Sequence, residues 1–330
     1  MREFDYQRAA DVAGAVALLG ADPDSRYLGG GTNLVDLMKA GVERPARLVD
    51  IRELPLDRVE STPEGGLRIG ATVTNADLAA HPEVRRRYPA LAQALLAGAS
   101  GQLRNMATVG GNLLQRTRCG YFTDVTRPCN KRVPGSGCPA LEGEHHNHAI
   151  LGASERCVAV HPSDMAVPLA AFDAVVRFET ADGPGELPLT EFYPPVGDTP
   201  ERETALPAGA LITGVVLPPA PVAARSRYRK VRERASYAFA IGSLAAALDV
   251  RGGVVHEARL ALGAVASRPW RAHAAERVLT GAPATPETYA AAADAELAAA
   301  RPLPHNGYKV DLMRNLVVAV LTELAEEAAR

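Results

Sequence analysis

Arg26-Tyr27-Leu28-Gly29-Gly30-Gly31-Thr32-Asn33-Leu34 reads as a short strand running into three consecutive glycines and then into a helix over Leu34 to Met38. With no Cβ to block the approach, three glycines let backbone N–H groups crowd around an anion. Thr32 can add a hydroxyl and Asn33 an amide. A second turn, Ala107-Thr108-Val109-Gly110-Gly111-Asn112, has the same character. Neither is G-x-G-x-x-G in a βαβ unit nor G-x-x-x-x-G-K-[ST], so the Rossmann and P-loop readings lose support. A lone glycine-rich loop is usually just a turn, but two separated ones suit a cofactor whose extended pyrophosphate is gripped from two sides.

Eight residues beyond Gly111 begin the only four cysteines of the chain: Cys119, Cys129, Cys138 and Cys157. The spacing C-x9-C-x8-C-x18-C lacks the short C-x2-C or C-x4-C pairs of most four-cysteine zinc sites and compact ferredoxin motifs. Residues 127–132 and 134–139 carry no apolar periodicity, as expected of a loop held by a metal. An iron–sulfur cluster, a structural zinc, two disulfides and four unrelated thiols all stay open on spacing alone. His145, His146 and His148 lie in the same segment; four sulfurs already complete a ligand set, so these histidines are expected on a solvated loop.

The 330-residue chain, 47% hydrophobic, is long enough for a full core and two domains. A formal charge of −2 gives no electrostatic footprint for nucleic acid or an anionic membrane surface. The start, Met1-Arg2-Glu3-Phe4-Asp5-Tyr6, lacks the basic, apolar pattern of a signal peptide, and no stretch reaches the roughly 20 apolar residues of a membrane span. These features imply a cytoplasmic chain made in a reducing compartment; export alongside a signal-bearing partner would leave no trace in it.

Helical spacing of Val12, Val16 and Leu19 predicts an opening helix, and Arg47–Ile51, Leu67–Gly70 and Ala174–Phe178 read as strands. Helices are expected over Tyr88–Leu96 and Asp164–Ala171. Pro218, Pro219 and Pro221 suggest a boundary, dividing residues 1–221 from 222–330. Beyond it Tyr237–Val250 and Ala258–Ala266 are strand candidates, and Leu312, Leu316, Val320 and Leu324 form a core stripe on a last helix. No Ser/His/Asp or paired-carboxylate constellation stands out, so redox chemistry would belong to cofactors.

Taken in order, Tyr27–Leu34, Arg104–Asn112, Ser163-Asp164-Met165-Ala166 and Leu260–Ala266 with Pro269 and Arg271 resemble the FAD-binding subunit of the molybdenum hydroxylases, the xanthine dehydrogenase and carbon monoxide dehydrogenase family. The resemblance covers nearly the whole chain. It implies an α+β fold: a two-lobed FAD-binding domain of the vanillyl-alcohol-oxidase (PCMH) type and a smaller α/β C-terminal flavoprotein domain. It further implies that Arg26, Tyr27, Leu28, Gly29, Gly30, Gly31, Thr32, Asn33 and Leu34 wrap the FAD pyrophosphate, closed from the other side by Ala107, Thr108, Gly110, Gly111 and Asn112. Ser163 and Asp164 match positions on the flavin's sugar chain, Ile212 the segment beside the isoalloxazine, and Lys230 a basic residue near the cofactor. Ordinary members have no cluster in the stretch corresponding to 119–157. The Cys-Gly-Tyr-Phe and Thr-Arg-Pro-Cys-Asn-Lys runs look closest to the FAD subunit of periplasmic aldehyde oxidoreductases, which carries an extra [4Fe–4S] cluster; the 4-hydroxybenzoyl-CoA reductase branch is the other such group. The resemblance thus implies an oxidoreductase subunit with FAD and a [4Fe–4S] cluster on Cys119, Cys129, Cys138 and Cys157. Its partners in a heterotrimer would be a molybdenum-cofactor catalytic subunit and a [2Fe–2S] subunit. The competing reading is a stand-alone flavin oxidoreductase with a structural metal.

Overall fold

The chain opens on a parallel sheet of β1 (Asp5–Arg8), β2 (Ser25–Leu28) and β3 (Arg47–Asp50), ordered β1-β3-β2, in a computed structural model that describes residues 1–328. Helices Val12–Gly20 and Leu34–Lys39 supply the crossovers that parallel pairing demands. Asp11 caps the first, its Oδ1 accepting from the Gly14 N–H at 2.7 Å. The triple glycine leaves the carboxyl end of β2, where α/β sheets open their ligand crevices.

Asp50 ends β3 with its side chain buried, taking hydrogen bonds from Arg52 and Tyr6. Burial alone would raise its carboxyl, but the Arg52 and Tyr6 donors outweigh burial and hold it at about 2. A depressed folded value contributes stability that is complete above the ordinary 3.8 and lost as pH falls toward 2. The gap in thermal midpoint between the wild-type chain and Asp50→Asn should therefore narrow from pH 4 to 2; a constant gap would refute the assignment.

Next comes an antiparallel sheet ordered β4-β5-β8-β6-β7, from β4 (Val59–Ser61), β5 (Leu67–Gly70), β6 (Val175–Thr180), β7 (Gly183–Pro188) and β8 (Leu211–Leu217). Leu67, Ile69, Val176, Val215 and Leu217 pack its face against Leu91 and Leu95 of helix Pro89–Ala97 and Leu169 of helix Ala166–Ala171. That last helix starts two residues later than the sequence suggests. Ser163 Oγ accepts the Ala166 N–H at 3.0 Å, and Ser163 and Asp164 stay outside the helix, free to face the groove described below.

The third sheet, β12-β11-β10-β9, is antiparallel: β9 (Ser226–Val231), β10 (Gly242–Arg251), β11 (Val254–Gly263) and β12 (Trp270–Arg271). Leu244, Ala246 and Leu248 of β10 face the C-terminal helices, while Ala245 and Ala247 face the preceding domain. Both faces are covered, so the strand reads apolar throughout. Two expected strands shift. Tyr237 has φ +52° and lies in the loop before β10, and Ala264 has φ +60°, which ends β11 before residues 264–266. Met313, Leu316, Val317, Val320, Leu321 and Leu324 bury one stripe of helix Tyr308–Ala328, with Leu312 at its margin. No helix among the described residues is long and apolar enough to cross a membrane.

Candidate functional site

The second glycine motif is the first turn of a helix, Val109–Leu113, rather than an open turn. Thr108 caps it, its Oγ1 accepting from Gly111 N at 3.3 Å. The two glycine motifs meet directly: a Cβ on Gly30 would lie 1.7 Å from Met106 O, and one on Gly29 would lie 2.9 Å from Thr108 Oγ1. Gly31 takes φ +73°. Gly110 is buried, its N–H donating to Ala71 O at 2.9 Å, and a Cβ there would meet Ala71 Cβ at 3.2 Å. The sequence reads Gly29 to Gly31 and Gly110 as leaving room for a ligand. Gly30 and Gly110 instead leave room for other protein backbone and side chains.

This meeting point is the waist of a long groove. On one side is a cleft of about 690 Å³ lined by Arg26, Tyr27, Gly29 to Leu34, Thr108, Gly110, Gly111 and Ile212. On the other is a chamber of about 450 Å³, which shares Thr32, Asn33 and Gly111 and adds Ala107, Asn112, Asp164 and Lys230. A third chamber of about 550 Å³ continues from it through Asp164 and Phe239 to Ser163, His148 and Cys119. Leu28 lines none of these and packs beneath Gly31. Ile212 therefore stands on the opposite side of the waist from Asp164 and Lys230.

Polar positions along the groove are fixed by the protein. Ser163 donates to Asn112 Oδ1 at 2.6 Å. Asp164 accepts from Tyr228 OH at 2.5 Å and from Lys230 Nζ at 2.8 Å. Burial, then the Asp164 charge, drives the Tyr228 phenol far above its ordinary range, so it stays a donor. Lys230, on β9, has a side chain only 3% exposed and is neutralised by Asp164. Lys230→Met should leave that carboxylate unpaired and cost about 3 kcal/mol of stability. A thermal melt that matches the unsubstituted chain would argue against a tight pair.

The diphosphate of FAD fits the waist on two observations. The Asn33 amide nitrogen is buried there without a partner, while its Oδ1 accepts from Arg116 N at 2.9 Å. The groove also runs unbroken past both glycine motifs, as an extended dinucleotide requires.

All four cysteines line a single small cavity just beyond the third chamber. No group of three or more metal-binding side chains among the described residues converges on one point. Burial raises the thiols of Cys138 and Cys157 and pushes Cys119 up to about 11. Loading the cavity must therefore displace protons.

The segment around the cysteines is better anchored than its composition suggests. Phe122 is fully buried, and Ile150 and Leu151 join the C-terminal core. Asn130 donates to Arg156 O and accepts from Gly137 N. Buried Lys131 pairs with Glu203 at 3.0 Å, and Arg116 pairs with Glu203 and Glu43. Nor are the histidines a solvated loop. His145 is buried and stacks on His305 at 4.8 Å, and burial brings His148 down to about 4, with its Nε2 3.2 Å from Cys119 Sγ. Only His146 is well exposed. Sequence reading misses Arg116, Arg118, Tyr228 and Phe239. The two arginines alone carry a signal, since they sit between the glycine helix and the first cysteine.

Two glycine motifs pressed together over a long groove are the features of an FAD-binding subunit. Residues 2–220 match the family described as FAD binding domain in molybdopterin dehydrogenase, and 226–324 match the CO dehydrogenase flavoprotein C-terminal domain. The chain belongs to the FAD-binding medium subunits of the molybdenum hydroxylases, and is an oxidoreductase component. It is 50% identical over 330 residues to aldehyde oxidoreductase FAD-binding subunit PaoB of Escherichia coli (strain K12), covering 99% of this chain and all of that one. Carbon monoxide dehydrogenase from Hydrogenophaga pseudoflava superposes with TM-score 0.76 at 26% identity, covering 98% of each chain. Quinoline 2-oxidoreductase from Pseudomonas putida 86 superposes with TM-score 0.77 at 24% identity over 100% of this chain and 99% of that one, a likeness of fold.

Proposed function

We propose that this chain is the FAD and [4Fe–4S] electron-transfer subunit of a molybdenum-containing aldehyde oxidoreductase. It would work in a heterotrimer with a molybdenum-cofactor subunit and a [2Fe–2S] subunit. The observation that carries this reading is the placement of the four thiols: one cavity, with Cys119 also forming the wall of the flavin groove. The 50% identity to an aldehyde oxidoreductase subunit supports the substrate class.

Bound FAD supplies the exchange between one- and two-electron carriers. The chain's own part is to hold and orient. Thr108 and Asn33 fix the two glycine motifs around the diphosphate. Asp164, held by Lys230 and Tyr228, fixes the ribityl side, and its place beside the third chamber directs the ring toward the cysteine cavity and leaves Ile212 to the adenine end. Phe122 and Lys131, both buried, line the thiol cavity and exclude water from it.

Iron, acid-labile sulfide and the visible spectrum of anaerobically purified protein test the reading. Flavin bands over a broad iron–sulfur shoulder, with roughly four irons and four sulfides per chain, are expected. Stoichiometric zinc without sulfide would leave a flavin subunit with a structural metal.

A further inference from the structure

One cation in the groove has no task in the fold. Arg118 lies between the glycine helix and Cys119 and lines both the 450 Å³ and the 550 Å³ chambers. Its guanidinium carbon lies 4.9 Å from the Phe239 ring centroid, a cation–π contact. Its Nε is buried without a hydrogen-bond partner. Among the described residues it forms no ion pair; Asp36 is the carboxylate whose field it feels. Its neighbour Arg116 is different, neutralised by Glu43 and Glu203. An arginine stays charged when buried, and a buried charge with an empty donor is costly unless an anion arrives.

The position of that anion follows from the second orphaned donor, Asn33 Nδ2. Asn33 is tied through Oδ1 to the backbone of Arg116, two residues before Arg118, and lines the same 450 Å³ chamber. Two unpartnered donors on one chamber, next to the glycine waist, suit an oxyanion that can take both, and a fork of N–H groups suits a phosphate. We propose that Arg118, carried by the cysteine segment, binds the diphosphate of FAD, so that the segment takes part in holding the flavin. This rests on FAD occupying the groove and not on what the cysteines bind.

The test uses the full-length chain stripped of flavin, with FAD and ADP as probes, because ADP carries the diphosphate without the ring. Arg118→Met should weaken both ligands about 10- to 100-fold, the usual worth of one charge-assisted hydrogen bond. Iron content and flavin midpoint potential should stay unchanged. Arg118→Gln, uncharged but polar, gives the answer if the methionine variant does not fold, and should show the same loss for both probes. Unchanged FAD and ADP affinity in a folded variant would overturn the proposal. So would unchanged ADP affinity with a shifted flavin potential, which would place Arg118 on the ring. Failure of the wild-type chain to bind ADP or FAD at all would instead defeat the groove reading itself.

Discussion

Replacing Cys157 by serine is expected to reduce bound iron to below about a tenth of the wild-type content and to lower flavin occupancy with it. Cys157 is the most buried of the four thiols, and the chain runs directly from it along Val158 and Ala159 toward Ser163 and Asp164. Ala149 N–H donates to Val158 O at 2.8 Å, and His161 N–H donates to Ala266 O at 2.9 Å, so this returning segment is pinned to the cysteine segment at one point and to the C-terminal domain at the other. Loosening it moves Asp164, and with it one wall of the groove. Cys119→Ser should behave similarly because Arg118 precedes it. Cys129→Ser and Cys138→Ser should lose iron equally but keep more flavin, since their loop is closed locally by Asn130 and Ser136. Iron and flavin assayed together on the four variants check this. Equal flavin loss in all four would deny the difference in position, and full iron in any one would remove that cysteine from the ligand set.

The fold was legible where local chemistry and packing agree. Gly29 to Gly31 between a strand and a helix, and the stripe through Leu316, Val320 and Leu324 with Leu312 at its margin, read correctly because periodicity and burial follow the same rule. Gly110 and Gly111 misled because a turn and the first turn of a helix share a composition; the Thr108 cap was the sign to weigh. His145 and His148 misled because their burial comes from His305 and Lys309, about 160 residues away in sequence. Lys309 itself donates to the carbonyls of Asn147, His148 and Ala264, a tether between the cysteine segment and the last helix that no local pattern announces. The partner of Lys230, Asp164, lies 66 residues earlier, so no local pattern announces their pairing. Position in the groove was legible from the order of motifs. What each side chain spends its charge on was not, because that depends on long-range pairing.

Gly30→Ala is expected to cost about 2–4 kcal/mol of stability and to abolish FAD retention together. The new Cβ would fall 1.7 Å from Met106 O, 2.5 Å from Met106 C and 3.0 Å from Ala107 N. All three are backbone atoms of the segment leading into the second glycine motif, so no rotamer change relieves the contact and the motifs must part. Parting them opens the waist that holds Asn33 and Gly111 together. Gly65→Ala is the matched control: it has φ +85° with no atom within 4 Å of the new Cβ. It should cost only the roughly 1–2 kcal/mol of a left-handed alanine and leave flavin untouched. Thermal midpoints of the flavin-free proteins separate the two causes. If Gly30 is needed for ligand approach alone, the flavin-free variant melts like the unsubstituted chain and merely binds FAD weakly. If it is needed for the closure of one motif on the other, the flavin-free variant melts lower before any ligand is added, and the structure requires the second result.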